Sequence, residues 1–329
     1  MNHENLPEDK AHSREELKFI INPQAKNGYC LKVGKKVELI LKEENISYSA
    51  VRTEYQSHAR ELAKIYAEQA GGQRLYLVAV GGDGTVHEVM NGAAGHQNVT
   101  VGFIPGGSGN DFSRGFGVPK APAESLKAIL KGISSHSSVK ADIGMIRHID
   151  GKKTYFINNM GAGFDALISR KVNSSKIKGI LNQLSLGKFV YAIFLVKELF
   201  TYKCSDLEIA IGEKKLQFNS AWFITISNQP FYGGGMKISP DANPFDGILN
   251  VTVVHNISRL KLLFVFASVF KGRHIGFKEV TFLQGQNVSI RSSHPIPFHA
   301  DGEALGSTPI SASVCPEALP VIIGTVKDG

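Results

Sequence analysis

The segment Val78-Ala79-Val80-Gly81-Gly82-Asp83-Gly84-Thr85-Val86-His87-Glu88-Val89 decides how the rest of the sequence is interpreted. A run of mostly branched apolar residues, Leu75 to Val80, predicts a buried strand that ends at a glycine pair. Val86, Val89 and Met90 then recur at helical spacing. The segment is therefore a strand-loop-helix unit whose loop carries three glycines.

The glycine loop is suited to binding an anion. Glycine has no Cβ, so main-chain N–H groups can approach a bound group closely, and the backbone dipole at a helix N-terminus favours negative charge. We expect the bound anion to be a phosphate group. Asp83 would repel a bare phosphate, which favours Mg²⁺ or ribose hydroxyls nearby. The alternative is a glycine-rich turn that only reverses the chain, since neither a Walker A sequence nor a complete Gly-x-Gly-x-x-Gly is present.

Composition indicates an ordinary α/β protein with anionic partners. The 329 residues suffice for two domains, and the formal charge of +8 fits nucleotide phosphates, nucleic acid or an acidic membrane surface. Three widely separated cysteines argue against a disulfide framework or a zinc site and favour the cytoplasm. Residues 1–16 are polar and predict a disordered tail. No run approaches the roughly 20 apolar residues that span a bilayer.

The first half of the chain alternates strands and helices. Leu17 to Ile21 predicts the first strand, and strands near residues 48–52 and 75–80 follow, each after a helical segment. This order predicts a parallel sheet with helices on both faces. Asn22 follows the first strand, where it can meet a ligand or cap its own turn, and Thr53 follows the second.

A second glycine-rich loop follows the next predicted strand, Val99 to Ile104. It reads Pro105-Gly106-Gly107-Ser108-Gly109-Asn110-Asp111-Phe112, so two strands of one sheet end in loops that carry a hydroxyl and an aspartate. Ser108 can donate to a phosphate oxygen and Asn110 can recognise polar edges. Asp111 is equally suited to capping the helix that follows.

Three motifs together resemble the diacylglycerol kinase catalytic family, especially the soluble bacterial lipid kinases, with sphingosine kinases as relatives. They are the first loop from Gly81 to Thr85, the second loop from Gly107 to Phe112, and Asp301-Gly302-Glu303. The first motif alone is also similar to NAD kinases and phosphofructokinases. His87 stands where the family usually has Asn, so its role is left unassigned. Ser108 replaces the commoner Thr and keeps the hydroxyl.

The resemblance implies an ATP-dependent lipid kinase, most directly one that converts diacylglycerol to phosphatidic acid with Mg²⁺. It implies that Asp301 is the base that accepts the proton of the attacking hydroxyl and that Glu303 supports a water or metal network, whereas the local Asp-Gly sequence alone indicates a turn. The residues expected around ATP are Asn22, Thr53, Gly81, Gly82, Asp83, Gly84, Thr85, Glu88 and Ser108.

From about residue 139 the pattern becomes that of short alternating strands, which predicts a β-rich second domain at residues 141–307. The resemblance implies that this domain is a β-sandwich facing the ATP-binding domain across a cleft. It also implies that the chain returns at about residues 308–326 to the first domain, which otherwise spans residues 17–140.

The loop from Pro240 to Ile248 is either a tight corner or a site for a hard cation. By resemblance, Asp246 with the carbonyl groups of Asn243 and Ile248 forms a structural Mg²⁺ site. The segments Phe189–Val196 and Leu262–Phe270 are strongly apolar, and lysines accompany them. They are either core helices or an apolar groove for acyl chains, with lysines that contact anionic head groups at the inner face of the membrane.

Two other functions stay open, and a third is not expected. An NAD kinase would share the first loop, and a non-catalytic nucleotide or lipid sensor would share the fold. A nucleic-acid-binding protein needs a polar basic stripe with interleaved aromatic residues, whereas the basic residues here border apolar segments, so no nucleic acid is expected. The sequence leaves the oligomeric state undecided, a homodimer included.

Overall fold

The computed structural model describes residues 15–148, 150–174 and 194–324. The predicted tail at residues 1–14 and the apolar stretch at residues 189–193 lie outside the described residues. Glu15 forms an ion pair with Arg74 at 2.9 Å, and Glu16 is the first residue of strand β1. The first domain therefore begins two residues before the position that the sequence indicated.

The first domain is built on five parallel strands in the order β2-β1-β3-β4-β17. This order confirms the parallel sheet that the alternation of elements predicts. Strand β3 is buried along its whole length, as expected of a central strand covered on both faces. The bounds are β1 Glu16–Ile21, β2 Ser49–Arg52, β3 Leu75–Gly81, β4 Val99–Pro105 and β17 Ile310–Ile322.

Helices cover both faces of this sheet. Val37 and Leu126, from the first and fifth helices, pack against one face, while Ala63 and Val89, from the second and third, pack against the other. The third helix starts directly at the first glycine loop, as the sequence predicts. The bounds are α1 Tyr29–Glu43, α2 His58–Gln69, α3 Asp83–Ala93, α4 Asp111–Gly115 and α5 Pro122–Ser134.

The second domain is antiparallel and forms two layers around one apolar core. One layer has the order β13-β12-β9-β7-β15-β16 and the other β9-β8-β14-β17-β5-β6, so that the long strand β9 belongs to both. Phe156, Ile209, Ile224 and Val251 fill the core between the layers. The strands are β5 Val139–Arg147, β6 Lys153–Phe156, β7 Asn159–Gly163, β8 Ser205–Ile211, β9 Lys214–Ser227, β10 Phe231–Tyr232, β11 Met236–Lys237, β12 Leu249–His255, β13 Val280–Gly285, β14 Asn287–Ser292, β15 Pro297–Ala300 and β16 Glu303–Ser307.

Strands β5 and β17 run antiparallel to each other through both domains. Near its end β17 pairs with β4 of the first domain, and at its start it pairs with β14 of the second. Accordingly, Ala312 packs in the second core and Val321 in the first. The sequence assigned all of residues 308–326 to the first domain. The strand belongs to both because its 13 residues reach roughly 40 Å at the rise of an extended chain.

A third apolar cluster lies under the helices of the second domain. Its aromatic part includes Phe164 and Trp222, whose ring centroids are 5.3 Å apart, and Tyr202 stacks on Trp222 at 5.7 Å.

The helices of the second domain are α6 Phe164–Ser174, α7 at residues 194–199, α8 Arg259–Val269 and the 3₁₀ turn Arg273–Gly276. Within the described parts of the chain, none of the helices is long and apolar enough to cross a membrane.

The position of helix α3 depends on close packing against α2. A Cβ at Gly92 would lie 2.3 Å from the carbonyl oxygen of Arg60, so only glycine fits between the two helices. Nearer the loop, the Glu88 carboxylate accepts hydrogen bonds from the amides of Ser57 at 3.0 Å and Ala59 at 3.1 Å. These two contacts hold the helix that carries the first glycine loop.

We expect the substitution Gly92→Ala to lower the free energy of unfolding by about 1–3 kcal/mol, because the added methyl group overpacks the contact. At a helix position with free space, replacing glycine with alanine would instead raise the free energy of unfolding by roughly 0.5–1 kcal/mol. Urea unfolding of both proteins measures the difference. The control is Gly276→Ala, where an added Cβ has no atom within 4 Å. A stabilising effect at Gly92 would contradict the packing described here.

Candidate active site at the domain junction

The two glycine-rich loops lie side by side at the carboxyl ends of β3 and β4. The amide of Gly106 donates to the carbonyl of Gly81 at 2.6 Å. A Cβ at Gly107 would lie 2.4 Å from the Cα of Gly82, so the two backbones touch with no room for a side chain. The loops therefore form one continuous main-chain surface at the start of α3.

Two aspartates hold the glycine loops in place through hydrogen bonds to main-chain amides. Asp83 Oδ1 accepts a hydrogen bond from the amide of Phe112 at 3.0 Å, which ties the first loop to the second. Asp111 Oδ2 accepts from the amide of Gly234 at 2.7 Å, and its Oδ1 pairs with Arg114 at 2.8 Å. Asp111 thus does not cap its own helix, as the sequence allowed, but contacts a loop of the second domain.

Negative charge is crowded in this region. Burial, together with the charges of Asp111 and Asp301, raises the pKa of Asp83 to about 6 from its usual 3.8, although the amide of Phe112 opposes the shift. Burial also raises the pKa of Asp111, against the lowering effects of the Gly234 amide and Arg114. Ionising these carboxyl groups together is therefore unfavourable without a further cation beside Arg114.

The polar residues at the ends of β1 and β2 have defined partners. Asn22 Nδ2 donates to Thr85 Oγ1 at 3.2 Å, and Asn22 Oδ1 accepts from the amide of Gln24 at 3.1 Å, so this residue caps its turn and also contacts the first loop. Thr53 joins the end of β2 to Ile21 through its amide, at 2.8 Å. Both residues lie at the same sheet edge as the glycine loops.

Asp301 lies at the tight turn between β15 and β16, with a left-handed backbone (φ 47°) and a fully buried side chain. Its Oδ1 accepts from the amides of Asn158 at 2.9 Å and Asn159 at 3.1 Å. Its Oδ2 accepts from the amide of Ile157 at 3.0 Å and faces His87 Nδ1 at 2.9 Å. The turn from the far end of the sequence therefore contacts α3, the helix of the first glycine loop.

Glu303 and Ser108 are more exposed than Asp301. Glu303 Oε2 accepts a hydrogen bond from Gln56 Nε2 at 3.3 Å, and its Oε1 would lie 3.8 Å from a Cβ at Gly84. Ser108 is exposed at the tip of the second loop. The structure thus brings Asp301, Glu303 and the first loop together on one side of α3.

The predicted cation loop in the second domain lies apart from this cluster. Asp246 is exposed, and its Oδ1 accepts from the amide of Ile248 at 3.0 Å, whereas the neighbouring Asp142 is buried and binds the amide of Gly247 at 2.6 Å. Burial, with a contribution from the charge of Asp142, raises the pKa of Asp246. Among the residues described, no group of three or more His, Cys, Asp and Glu side chains could hold a metal ion.

Several polar residues at the junction escaped sequence reasoning. His87 was left unassigned, and its contact with Asp301 joins positions 214 residues apart. Beside it, the buried His299 lies within 3.0 Å of the Tyr232 hydroxyl and 3.4 Å of Asp165. No local pattern signals these pairs, because their partners come from distant parts of the chain.

Comparisons with known proteins agree with this geometry. Residues 16–145 match the diacylglycerol kinase catalytic domain, and residues 158–323 match the YegS C-terminal NAD kinase beta sandwich-like domain. The Bacillus subtilis (strain 168) protein named "Putative lipid kinase YtlR" is 32% identical over 303 residues, which cover 92% of this chain and 97% of that protein. A Mycobacterium tuberculosis (strain ATCC 25618 / H37Rv) protein named diacylglycerol kinase is 27% identical over 95% of this chain and 96% of its own length.

A solved structure from Bacillus anthracis str. Sterne, described as a putative diacylglycerol kinase, matches with a TM-score of 0.73 and 23% identity, over 94% of this chain and 97% of that one. This likeness supports the fold of an α/β domain followed by a β-sandwich. The family matches and the relative at 32% identity extend over nearly all of the described chain. The chain therefore belongs to the diacylglycerol kinase catalytic family and is a lipid kinase, an enzyme that transfers phosphate from ATP to an alcohol.

Proposed function

We propose that this lipid kinase phosphorylates diacylglycerol, with ATP bound across the two glycine loops and the acceptor hydroxyl delivered from the side of the second domain. The observation that carries the proposal is the contact of the Asp301 turn with α3, because it puts a carboxylate beside the loop at which the phosphates would lie. Relatives that are named diacylglycerol kinase support the choice of acceptor.

The phosphates of ATP would bind the main-chain N–H groups of the two loops, at the positive end of the α3 dipole. Ser108 is exposed at the loop tip, where its hydroxyl can donate to a phosphate oxygen. Asn22 and Thr53 lie at the same sheet edge, so they would contact the nucleotide beyond the phosphates. The carboxylate of Glu88 is occupied by the amides at the start of α2, which gives it a supporting role.

Asp301 is the proposed base. As the acceptor oxygen forms its bond to the γ-phosphorus, the bond to the bridging oxygen of ADP breaks, and Asp301 takes the proton of the hydroxyl. Glu303 lies beside Gly84 and would order water on the loop side of the site. Phosphoryl transfer needs little more from the protein than this positioning and the neutralisation of charge.

Mg²⁺ is the proposed counter-ion at Asp83. The residues fit such an ion, because carboxylate oxygens are the ligands it prefers, and because burial together with the charges of Asp111 and Asp301 disfavours the ionised form of Asp83, which a cation would stabilise. When bound, the ion would neutralise charge on the transferred phosphate. Asp246, with the carbonyl groups of Asn243 and Ile248, is likewise the proposed structural Mg²⁺ site, because partial burial and, to a smaller degree, the charge of Asp142 disfavour its ionised form in the absence of a cation.

The lipid side of the protein is proposed to be an apolar face formed by α7, α8 and the residues after them. Helix α8 is joined to α7 by the Arg259 Nε donor, which lies 3.1 Å from the Leu199 carbonyl. Two of its large apolar side chains are strongly exposed, Phe264 at 70% and Leu260 at 66%. The apolar face comprises Val196, Phe200, Leu260, Phe264, Phe270 and Ile275.

Basic residues surround the apolar face. Lys197, Lys271 and Arg273 are exposed within or beside its segments, while Glu198 and Glu279 are buried and paired with Lys171 and Lys261. Exposed positive charge around apolar side chains is complementary to a bilayer that contains anionic lipid. We therefore propose peripheral binding of this face to such a membrane, from which diacylglycerol would reach the site.

For the substitution Asp301→Ala, we expect the turnover number for lipid phosphorylation to fall by roughly 10²–10⁴-fold while the enzyme still binds ATP, because a positioned base contributes that much. The variant should also unfold at lower temperature, since three buried amides lose their acceptor. Labelled ATP with a lipid extract and, separately, with NAD measures transfer. The control is Asp206→Ala, which removes an exposed carboxylate that accepts one amide at 2.8 Å.

Wild-type turnover in the folded Asp301→Ala variant would show that another group takes the proton. Transfer of label to NAD and to no lipid would contradict the lipid kinase proposal and favour an NAD kinase. Binding of ATP by the wild-type protein without any transfer would favour a sensor.

Replacing Asp83 with Asn should stabilise the protein at alkaline pH when nucleotide and metal are absent. The folded pKa of about 6 lies above the usual 3.8, so ionising Asp83 costs stability above pH 6, by up to about 3 kcal/mol for a shift of this size. We expect the gain of Asp83→Asn to be largest at pH 8 and to shrink as the pH falls from 6 towards 4. Urea unfolding at pH 5 and pH 8 measures it, and an equal gain at both values would contradict the assignment.

The substitution Phe264→Glu should weaken binding to phosphatidylglycerol vesicles by at least tenfold, because burying a phenylalanine side chain is worth about 1.5–3 kcal/mol. Co-sedimentation with vesicles measures the bound fraction, and equilibrium ATP binding should stay at the wild-type level. Leu39→Glu is the matched control, since Leu39 is also exposed but lies on α1 of the first domain. Equal losses in the two variants would place the membrane contact elsewhere.

A further inference from the structure

The proposed base has no vacant acceptor position in this structure. An ionised carboxylate offers about four lone-pair positions. On Asp301, the amides of Asn158 and Asn159 occupy the two on Oδ1, and the amide of Ile157 and His87 Nδ1 occupy the two on Oδ2. All four distances lie between 2.9 and 3.1 Å. A substrate hydroxyl can give its proton to Asp301 only after one of these donors leaves.

Three of the four donors are main-chain groups that cannot leave without unfolding the junction of β6 and β7. The Asp301 amide also donates to the Asn159 carbonyl at 2.9 Å, which locks the turn onto this backbone. His87 is the one side chain among the four donors to Asp301, and a side chain can move by rotation alone. The position on Oδ2 that His87 fills is therefore the position that a substrate can take.

The His87 ring is held in place mainly by its contact with Asp301. Because an ionised carboxylate only accepts hydrogen bonds, the shared proton lies on Nδ1. At the other nitrogen, Nε2, the nearest polar neighbour is Asn91 Nδ2 at 3.5 Å, and that amide already donates to the carbonyls of His87 and Tyr155 at 2.9 Å. Once the Asp301 contact is lost, the 3.5 Å contact with Asn91 is the remaining polar contact of the ring among the described residues, and the ring is otherwise held by its buried position on α3.

We propose that His87 is a positioning residue that occupies the proton-accepting site of Asp301 until the lipid hydroxyl replaces it, and that it thereby keeps water out of that site. The inference rests on the proposed function. After the lipid hydroxyl displaces His87, the hydroxyl proton passes to Asp301 Oδ2 while the hydroxyl oxygen bonds the γ-phosphorus. ADP leaves with the electron pair of the broken bond. The proton then passes from Asp301 to solvent.

The same chemistry with water in place of the lipid would hydrolyse ATP. An acceptor position left open on a buried base invites a water molecule, and water beside the γ-phosphate becomes a competing nucleophile. His87 prevents this because its N–H group meets the hydrogen-bonding capacity of Oδ2 in the absence of substrate. The residue thus favours the lipid over water as the acceptor.

Three substitutions at one position separate this role from a structural one. Asn carries an N–H donor on Cγ, as the histidine ring carries Nδ1, so His87→Asn retains the donor at the right distance. His87→Gln carries the same amide one bond further out, and His87→Leu has no donor. We expect the ratio of lipid-independent ATP hydrolysis to lipid phosphorylation to rise about tenfold in the Leu and Gln variants. This rise is smaller than the whole rate enhancement of roughly 10²–10⁴-fold that a general base supplies. The ratio should stay near the wild-type value in the Asn variant.

The measurement is ADP release from the full-length protein with and without diacylglycerol in mixed micelles, together with labelled phosphate in lipid and a thermal melt of each variant. Equal losses of both activities in the Leu and Gln variants would mean a purely structural role and overturn the inference, as would leakage in the Asn variant. If Leu fails to fold, the Gln and Asn pair decides. A wild-type protein that phosphorylates no lipid would instead refute the proposed function, so the two failures are distinguishable.

Discussion

The backbone contact between Gly82 and Gly107 is the constraint on which the site depends. A side chain at Gly107 would force the carboxyl ends of β3 and β4 apart, because its Cβ would lie 2.4 Å from the Cα of Gly82, and a Cβ at Gly82 would still make a tight contact of 3.2 Å with the Cα of Gly107. With the loops in contact, their N–H groups form one surface at the start of α3, and Asp83 can reach the amide of Phe112 from below. Two separate turns thereby become a single binding surface.

The second domain completes this surface through backbone atoms as much as through side chains. Gly234 offers its amide to Asp111, and the amides of residues 157–159 hold Asp301. Strands β5 and β17 continue through both cores, so the carboxylate of one domain and the loops of the other are fixed by paired strands. A buried carboxylate saturated with donors is also a rigid one, which suits the proposed role of Asp301 as the base.

The sequence predicted what depends on local pattern. The run from Leu75 to Val80, the glycines that follow and the helical spacing of Val86 and Val89 are short-range signals, and the strand, loop and helix lie where they indicate. The contact between the two loops also followed, because consecutive parallel strands end at one edge of a sheet. For the motif Asp301-Gly302-Glu303, local pattern indicated only a turn, and the prediction of a site role came from its resemblance to a family.

What the sequence could not predict shares one physical origin. Every residue except proline has the same main-chain N–H group, so the amino-acid sequence does not show that Gly234 or Ile157 donates to an aspartate. The resemblance implied that residues 308–326 return to the first domain, and the apolar residues of β17 do not show on their own that they enter both cores. Likewise, the apolar residues of Leu262–Phe270 did not reveal that Phe264 is exposed while Leu262 is buried.

The ionised carboxylates of the site lower the stability of the folded protein. This cost bears on the function of the site. Burial makes Asp83 and Asp111 costly to ionise, and the charges of Asp111 and Asp301 add to this cost at Asp83. Neutral amides would satisfy several of the same hydrogen bonds without the repulsion. Such crowding is typical of sites that work on a charged ligand, where a cation and a phosphate supply the missing balance. The free protein is therefore less stable than its hydrogen bonds alone would make it, and the bound nucleotide with its cation would restore the difference.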